Sequence, residues 1–468
     1  MKKTLTVLLF FFVFTVAFAS ISGKANAIPA WSQKYHFSCS VCHTVFPNLN
    51  TFGRAFWRNG FRLPSTNGIP TDATQITKGL SLSNPWPIPI MVEGYAEYTH
   101  TNEITATTQT DQFSKGNFLL AYGGSFPISV PLSNSISFYI LSSPQQMDMQ
   151  TNISIEGLGW GFGVPSHLLN LKLGTISPAG PYFDRLMGIY MTEGPQDNLQ
   201  SLSVGANKNV VGTLAGGSMN GLACSGCHTL GSNSGSNGGL ELYGTPGYHA
   251  WYKIMAAKEG SSNATEYSYQ LKEYMPVSAG NQLEFGYYGG ISSGEQISLS
   301  ASSPTFTDMA RVNGIDADIA NNKYELGATY MVQLDSEPYG PSGIALPGGG
   351  TQSTNGYNMF EVYGRYLFPQ VGYGLMLSAD YAEYTWRNED AQEAYNLKYN
   401  SATCSGDNLY QNNGGYTLTN GCQSEGIQHA LTFQVSYNLA QNAHLWADYV
   451  FTNVFEYNTF GAGIDIAL

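Results

Sequence analysis

The chain has 468 residues, of which 43% are hydrophobic, 13% aromatic and only 11% charged. Soluble domains carry about a quarter charged residues, so this composition excludes most soluble enzymes. The formal charge of −13 comes with no cluster of lysine or arginine, so we expect no nucleic-acid partner. Outside residues 4–19 no run of about 18 apolar residues occurs, which excludes a bundle of membrane-spanning helices.

The N-terminus has the order of a secretory signal. Lys2 and Lys3 precede the apolar stretch Leu5–Phe18, and small and polar residues follow, ending in Ala25-Asn26-Ala27. We therefore predict that residues 1–27 are a cleaved signal peptide, with an uncleaved N-terminal membrane anchor as the alternative. This segment contains lysines and no acids, so the exported chain is more acidic than its precursor.

The first chemical motif lies shortly after the signal. Cys39-Ser40-Val41-Cys42-His43 has the C-x-x-C-H pattern of covalent c-type haem attachment. In this pattern the two thiols form thioethers to the haem vinyl groups, and the adjacent histidine is the proximal iron ligand. A zinc site would need two further Cys or His, and only His36 is near. The sequence therefore predicts haem c on Cys39 and Cys42, with His43 as axial ligand.

A short helical domain follows this motif. Residues 46–60 predict a helix, with Pro47 in its first turn and Gly60 as its C-terminal cap. Leu49, Phe52 and Phe56 then share one face, which we expect to cover the porphyrin or to form a small core. We predict that residues 28–85 form a small α-helical haem domain. Prolines then break the chain into a linker: Pro64, Pro70, Pro85, Pro87 and Pro89.

After Ile90 the hydrophobic period changes to two. In Tyr324–Leu334 and in Ile427–Tyr437, apolar residues alternate with small or polar ones. Segments of about ten alternating residues, edged with Tyr, Phe and Trp, are typical of transmembrane β-barrels. A soluble β-sandwich or a β-helix also alternates but would carry more charge. We therefore expect a mainly β protein in which residues 86–468 form an antiparallel outer-membrane β-barrel of about 16 strands.

Four long polar connections interrupt this pattern, at residues 99–112, 200–238, 335–356 and 386–426. In bacterial barrels the longer loops face outside the cell and the short turns face the periplasm. The 200–238 connection contains a second C-x-x-C-H motif, Cys224-Ser225-Gly226-Cys227-His228. It predicts a second haem c on Cys224 and Cys227, with His228 as axial ligand.

The remaining candidate ligands and thiols are less constrained. His36 and Met91 are candidates for the sixth ligand of the first haem, and Met219 and His249 for the second, because His and Met are the usual axial partners. Each also has an ordinary explanation as a packing or loop residue. Cys404 and Cys422 both lie in the 386–426 connection, and we predict that they form a disulfide in an oxidising compartment.

Three N-terminal stretches carry a family resemblance. Ile28-Pro29-Ala30-Trp31, Phe37–His43 and the Phe46–Phe56 segment resemble the start of the fused outer-membrane porin-cytochromes of iron-oxidising bacteria. The resemblance implies a monohaem domain joined to a barrel, taking electrons from Fe(II) at the cell surface and passing them to periplasmic carriers. Cys39, Cys42 and His43 match the attachment site of that family, whereas the second motif is a departure from it.

We therefore expect an outer-membrane protein of a Gram-negative bacterium that passes electrons from extracellular iron to a periplasmic cytochrome or copper protein. Fe(II) oxidase is its candidate enzymatic role. The alternatives are an outward conduit to metal oxides and a passive porin with a haem-bearing plug.

Carboxylates attract Fe(II), and the candidates are Glu389, Asp390 and Glu393 in a loop and Glu93, Glu97, Glu284 and Glu325 in the lumen. Two haems also suggest a relay across an apolar band about 25 Å tall.

Overall fold

The computed structural model describes most of the barrel and part of the chain before it. The described residues are 39–45, 48–58, 60, 73–77, 80–83, 90–103, 109–114, 118–130, 133–142, 147–154, 168–175, 238–246, 249–258, 265–277, 281–297, 306–321, 323–336, 344–346, 349–372, 374–388, 409–412, 415–418, 428–440, 443–452 and 457–467. Several predicted features lie outside them: the signal peptide, the second C-x-x-C-H motif, His36, Met219, Cys404, Cys422, Glu389, Asp390 and Glu393.

Two helices and twenty-five strands occur among these residues. The helices are α1 (Cys39–Cys42) and α2 (Thr51–Arg58). The strands are β1 (His43–Val45), β2 (Asn48–Leu49), β3 (Ala73–Thr77), β4 (Leu80–Ser83), β5 (Ile90–Glu103), β6 (Gln109–Ser114), β7 (Phe118–Val130), β8 (Ser133–Ser142), β9 (Met147–Ser154), β10 (Asn170–Thr175), β11 (Gly238–Gly244), β12 (Ala250–Lys258), β13 (Thr265–Pro276), β14 (Gln282–Ile297), β15 (Phe306–Ala320), β16 (Tyr324–Asp335), β17 (Ile344–Ala345), β18 (Thr351–Gln352), β19 (Asn355–Phe368), β20 (Leu375–Trp386), β21 (Leu409–Asn412), β22 (Gly415–Leu418), β23 (Gln428–Ala440), β24 (Ala443–Thr452) and β25 (Tyr457–Ala467).

One antiparallel sheet contains most of the strands, which confirms the prediction of a mainly β protein. Its order is β10-β11-β12-β13-β14-β15-β16-β19-β20-β23-β24-β25-β5-β6-β7-β8-β9, and pairing of β9 with β10 closes it into a barrel. Both β6 and β7 pair with β5, one along each half of that strand. The number of strands around the barrel therefore depends on whether β6 is counted, and the expected number of about 16 stays a prediction.

The two faces of this sheet have opposite chemistry. Its outer face exposes apolar side chains, including Ile315 (58% exposed), Ile254, Leu326 and Phe433. Its inner face buries polar and charged ones at alternate positions: Glu241, Lys253, Gln270, Lys272, Glu284, Asp316, Asp318, Thr329, Glu361, Asp380 and Asp448. A water-soluble barrel would have the reverse arrangement. The alternation predicted for Tyr324–Leu334 is thus confirmed, and the outer face fits a lipid bilayer.

The two ends of the barrel differ in their connections. At one end, which we call the short-turn end, only two to six residues separate β13 from β14, β15 from β16, β19 from β20 and β23 from β24. The longest connections, residues 176–237, 336–354 and 387–427, all leave from the opposite end. Because consecutive strands are antiparallel, β5 begins at the short-turn end. The N-terminal segment is therefore joined to the barrel at that end.

Two predicted boundaries are wrong. The expected helix of residues 46–60 is shorter, because residues 48–49 form β2 and α2 starts only at Thr51, where the side chain of Asn50 caps it. The expected connection of residues 99–112 is largely strand, since β5 continues to Glu103 and β6 starts at Gln109. Most side chains of this segment are polar, so no alternation of apolar and polar residues marked its strands. Neither described helix is long and apolar enough to cross a membrane.

Candidate functional site

The first C-x-x-C-H motif occupies one helical turn followed by a tight reversal. Cys39–Cys42 form α1, and His43 begins β1, which pairs with β2 by placing His43 opposite Leu49. Cys42 is half-buried. The hairpin returns the chain so that the backbone N–H of Asn50 donates to the carbonyl oxygen of Cys42 at 2.8 Å. The motif is therefore hydrogen-bonded to the residue that starts α2.

The helix α2 has one aromatic face and one cationic face. Phe52 and Phe56 stack with nearly parallel rings whose centroids are 6.4 Å apart, as their predicted sharing of a face requires. Leu49, the third residue of that predicted face, lies in β2 instead. On another face, Arg54 and Arg58 are both 3% exposed although each carries a full charge. Buried arginines need anionic partners, and the barrel wall supplies them.

Arg58 has the larger set of contacts. Its Nη2 and Nη1 atoms donate to the two carboxylate oxygens of Glu284 at 2.8 and 3.2 Å, which is a bidentate ion pair. Nη1 also donates to the hydroxyl of Tyr274, and the guanidinium lies over the rings of Trp251 and Tyr274. These partners come from β12, β13 and β14. Arg58 therefore binds α2 to three adjacent strands.

Arg54 extends the same attachment to the next strands. Its Nη1 atom donates to Glu325 at 3.0 Å, and Nη2 lies 3.9 Å from Asp318. Glu325 also accepts a hydrogen bond from the hydroxyl of Tyr363 at 3.1 Å and lies 3.9 Å from Arg365. Through Glu325 and Asp318 the helix contacts β15 and β16, so α2 lies inside the barrel along one side of its wall.

Three carboxylates meet where the arginines bind. Ligand oxygens of Glu284, Asp316 and Asp318 lie within 4.8 Å of one another, and all three residues are buried. Lys272 forms ion pairs with Glu284, at 3.0 Å, and with Asp316. Together with the two arginines of α2, this lysine supplies a cation to each carboxylate. The arrangement is a network in which each buried carboxylate has a cationic side chain as partner, and it is not an acidic metal-binding pocket.

This network lies at the short-turn end. Glu284 is the third residue of β14 and Glu325 the second of β16, both close to the short turns that precede them. By contrast, β10 ends and β11 begins at the opposite end of the barrel. The connection of residues 176–237, which carries Cys224, Cys227 and His228 in the sequence, therefore leaves and re-enters the barrel far from α2.

The candidate sixth ligands are placed as follows. Met91 is in β5, and His249 directly precedes β12 with an exposed side chain. His249 accepts a backbone hydrogen bond from Tyr274 at 2.6 Å, which places it at the short-turn end. The connection with the second motif leaves from the opposite end, and the role of His249 as a candidate sixth ligand stays a prediction. Glu284 and Glu325, two of the candidate lumen carboxylates, form ion pairs with the arginines of α2.

The residues that sequence reasoning missed are Asn50, Arg54 and Arg58 on the N-terminal segment and Lys272, Tyr274, Asp316 and Asp318 on the wall. A usable signal was present for two of them. Arg54 and Arg58 are four residues apart, hence on one face of a helix, in a chain with only 20 lysines and arginines. Their separation from the Phe52 and Phe56 face predicts a helix with two different partners.

No protein-family model matches the chain, and no curated protein matches it either. Several solved structures do. The anion-selective porin of Comamonas acidovorans is 10% identical, with a TM-score of 0.49, over 82% of this chain and 99% of that one. OprB of Pseudomonas putida at high pH is 10% identical, with a TM-score of 0.48, over 81% and 94%. The outer-membrane protein OmpT of Vibrio cholerae is 11% identical, with a TM-score of 0.47, over 83% and 99%. At these identities and TM-scores the likenesses say nothing about function.

Proposed function

We propose that this chain is a c-type cytochrome fused to an outer-membrane barrel and that it carries electrons across the outer membrane of a Gram-negative bacterium. The observation that supports this function best is the seating of α2 in the lumen through the bidentate pair of Arg58 with Glu284. Because Asn50 joins the C-x-x-C-H turn to α2, a haem attached at that turn is held by the barrel itself.

The residues of the turn suit covalent haem. Cys39 and Cys42 are separated by one helical turn, and His43 follows at once. Cys39 and Cys42 would form the thioethers and His43 would bind the iron. By the same pattern, Cys224, Cys227 and His228 would hold a second haem. Haem c supplies a one-electron site whose potential depends on its axial ligands and its burial.

The electron balance follows from the proposed substrate. One Fe(II) ion at the outer surface loses one electron and becomes Fe(III), and a periplasmic cytochrome or copper protein gains that electron. Polar loops at the end with the longest connections face the cell exterior in bacterial barrels. The acidic excess of the chain raises the local concentration of cations there, with Glu389, Asp390 and Glu393 as candidate contributors.

Two C-x-x-C-H motifs that are joined to the barrel from opposite ends support a relay. The C-x-x-C-H turn is coupled to a network at the short-turn end, which faces the periplasm in bacterial barrels. The connection carrying the second motif leaves from the other end. The apolar band of a barrel is about 25 Å tall, so one haem alone leaves most of that distance to be crossed. A second haem in that connection would shorten the longest step.

Two other functions use the same features. An outward conduit would pass respiratory electrons through the same haems to metal oxides, because sequence does not set the potentials that decide direction. A passive porin would conduct solutes through the polar lumen, with the haem domain as a plug. The polar inner wall favours the passive porin. The burial of the α2 arginines against that wall favours instead a lumen that is partly filled by the N-terminal segment.

Anaerobic absorbance of the purified protein tests the proposed function. Fe(II), added at acidic and at neutral pH, should promptly reduce the haem bands of the oxidised protein. If Fe(II) does not reduce the haems but ferric oxide reoxidises the reduced protein, the protein carries electrons outward and not inward. Absence of covalent haem in a pyridine haemochrome assay would overturn the cytochrome assignment altogether.

A further inference from the structure

One residue uses all four of its polar groups to join the haem-attachment turn to the lumen helix. The backbone N–H of Asn50 donates to the carbonyl of Cys42 at 2.8 Å, and its side-chain Nδ2 donates to the carbonyl of Val41 at 3.0 Å. Its side-chain Oδ1 accepts from the N–H of Gly53, and its own carbonyl accepts from the N–H of Arg54, both at 2.9 Å.

These bonds act on two helix ends. The last carbonyls of a helix have no partner within it, and Val41 and Cys42 provide such carbonyls at the end of α1. The first N–H groups of a helix are likewise without internal partners, and the N–H of Gly53 is one of them in α2. A single side chain thus closes the C-terminal end of α1 and the N-terminal end of α2.

Few residue types could replace it. Aspartate supplies the capping oxygen for Gly53 but has no N–H for the Val41 carbonyl. Serine has a single hydroxyl, which would have to serve both partners, and alanine serves neither. Leucine at the neighbouring position 49 pairs with His43, so the short hairpin fixes where the amide of Asn50 arrives. The amide side chain therefore matches a donor requirement and an acceptor requirement at the same time.

We propose that Asn50 is a positioning residue for the first haem: its two donated bonds fix the backbone at Val41 and Cys42 and thereby orient His43, the residue that follows. This inference rests on the proposed haem attachment at Cys39, Cys42 and His43. Groups hydrogen-bonded behind a metal ligand orient that ligand and tune the metal. Here the orienting contact lies on the backbone next to the ligand, and the same residue anchors it to a helix held by the barrel.

The test compares Asn50→Asp with Asn50→Ala in the full-length, membrane-inserted protein. The Asp variant keeps the cap of α2 and loses the bond to Val41, whereas the Ala variant loses both. If Asn50 positions His43, both variants bind covalent haem but shift its midpoint potential and alter the axial-ligand signature in electron paramagnetic resonance. Amide hydrogen exchange should remain slow at the start of α2 in the Asp variant and become fast in the Ala variant.

Asn321→Asp is the matched control. Asn321 also donates through its side chain, to Asn281 at 2.7 Å, and accepts from the N–H groups of Lys323 and Tyr324. It does so in a barrel turn, so this variant should leave the potential and the spectrum unchanged. A wild-type midpoint potential and spectrum in Asn50→Asp would overturn the proposal and show that Asn50 acts only as a helix cap. Wild-type protein without covalent haem would instead refute the proposed function and leave the hydrogen-bond geometry intact.

Discussion

Arg58 and Glu284 form a bidentate ion pair between a helix near the N-terminus and the fourteenth strand, with N–O distances of 2.8 and 3.2 Å and side chains that are 2% and 1% exposed. The two residues are 226 positions apart in the chain. Their pairing converts an N-terminal segment that could have been a separate domain into a part of the barrel interior. It also fixes which end of the barrel the C-x-x-C-H turn approaches.

Replacement of Arg58 by methionine should loosen α2 from the wall. The substitution leaves Glu284 buried beside Asp316 and Asp318 with one cation fewer, and breaking a buried pair in this way typically costs about 3–5 kcal/mol. We expect single-channel conductance in planar bilayers to rise and the N-terminal segment to become sensitive to protease. Arg311→Met, which changes an exposed arginine, is the control. Equal conductance in the two variants would mean that Arg58 does not hold α2.

Removing both members of the pair should do less harm than removing Arg58 alone. In the double variant Arg58→Met and Glu284→Gln, no unpaired carboxylate remains at position 284, and Lys272 keeps Asp316 as its partner. We therefore expect conductance and protease sensitivity to return towards wild-type values. Strictly additive effects of the two substitutions would show that the residues are not energetically coupled.

The outer face should reject charge in the way that lipid-facing residues do. Ile315 lies in the middle of β15 and is 58% exposed, so Ile315→Lys places an ammonium group against hydrocarbon. Near the bilayer midplane such a change costs about 2–4 kcal/mol. The free energy of unfolding, from urea titration of the barrel in vesicles, should fall accordingly, whereas Ile315→Val should have little effect. No difference between the two variants would contradict a lipid-facing outer wall.

A methyl group added at Gly314 should destabilise the barrel, because the ring of Tyr288 occupies the space next to this glycine. Tyr288 is fully buried, and a Cβ atom added to Gly314 on the paired strand would overlap its ring. Gly314→Ala must displace that ring, at a cost of about 1–3 kcal/mol typical of overpacking. Gly238→Ala is the control, because a Cβ there meets nothing within 4 Å. Equal stabilities of the two variants, measured by urea titration, would show that Tyr288 moves freely.

Local patterns in the sequence predicted most of the strands, although not those at residues 99–112, and they did not predict the contacts of the site. Alternation predicts which side chains face lipid because successive residues of a strand point to opposite faces of the sheet. Tyr330 is exposed on the outer face, for example, and its neighbour Thr329 is buried on the inner face. The pairing of Arg58 with Glu284 depends on the register of distant strands and on where the N-terminal segment enters, and neither is encoded locally. Glu284 was therefore correctly expected to face the lumen, but its partner could not be identified.

The start of α2 shows the same limit at a smaller scale. Pro47 suits a first helical turn, which predicts an early start, yet Asn50 is the better capping residue and α2 starts after it. The competing signals lie three residues apart. The decision comes from the hairpin of β1 and β2, because its pairing brings Asn50 to the carbonyls of Val41 and Cys42.

Transmembrane electron transfer in sealed vesicles tests the central claim most directly. The protein is inserted into vesicles that enclose an oxidised one-electron acceptor, and Fe(II) is added outside under anaerobic conditions. We predict that wild-type protein reduces the enclosed acceptor and that Cys227→Ser slows this reduction while the spectrum of the first haem persists. Unchanged rates in Cys227→Ser would contradict the relay. No reduction by the wild type, in vesicles through which small solutes pass, would contradict the electron conduit itself and favour a passive porin.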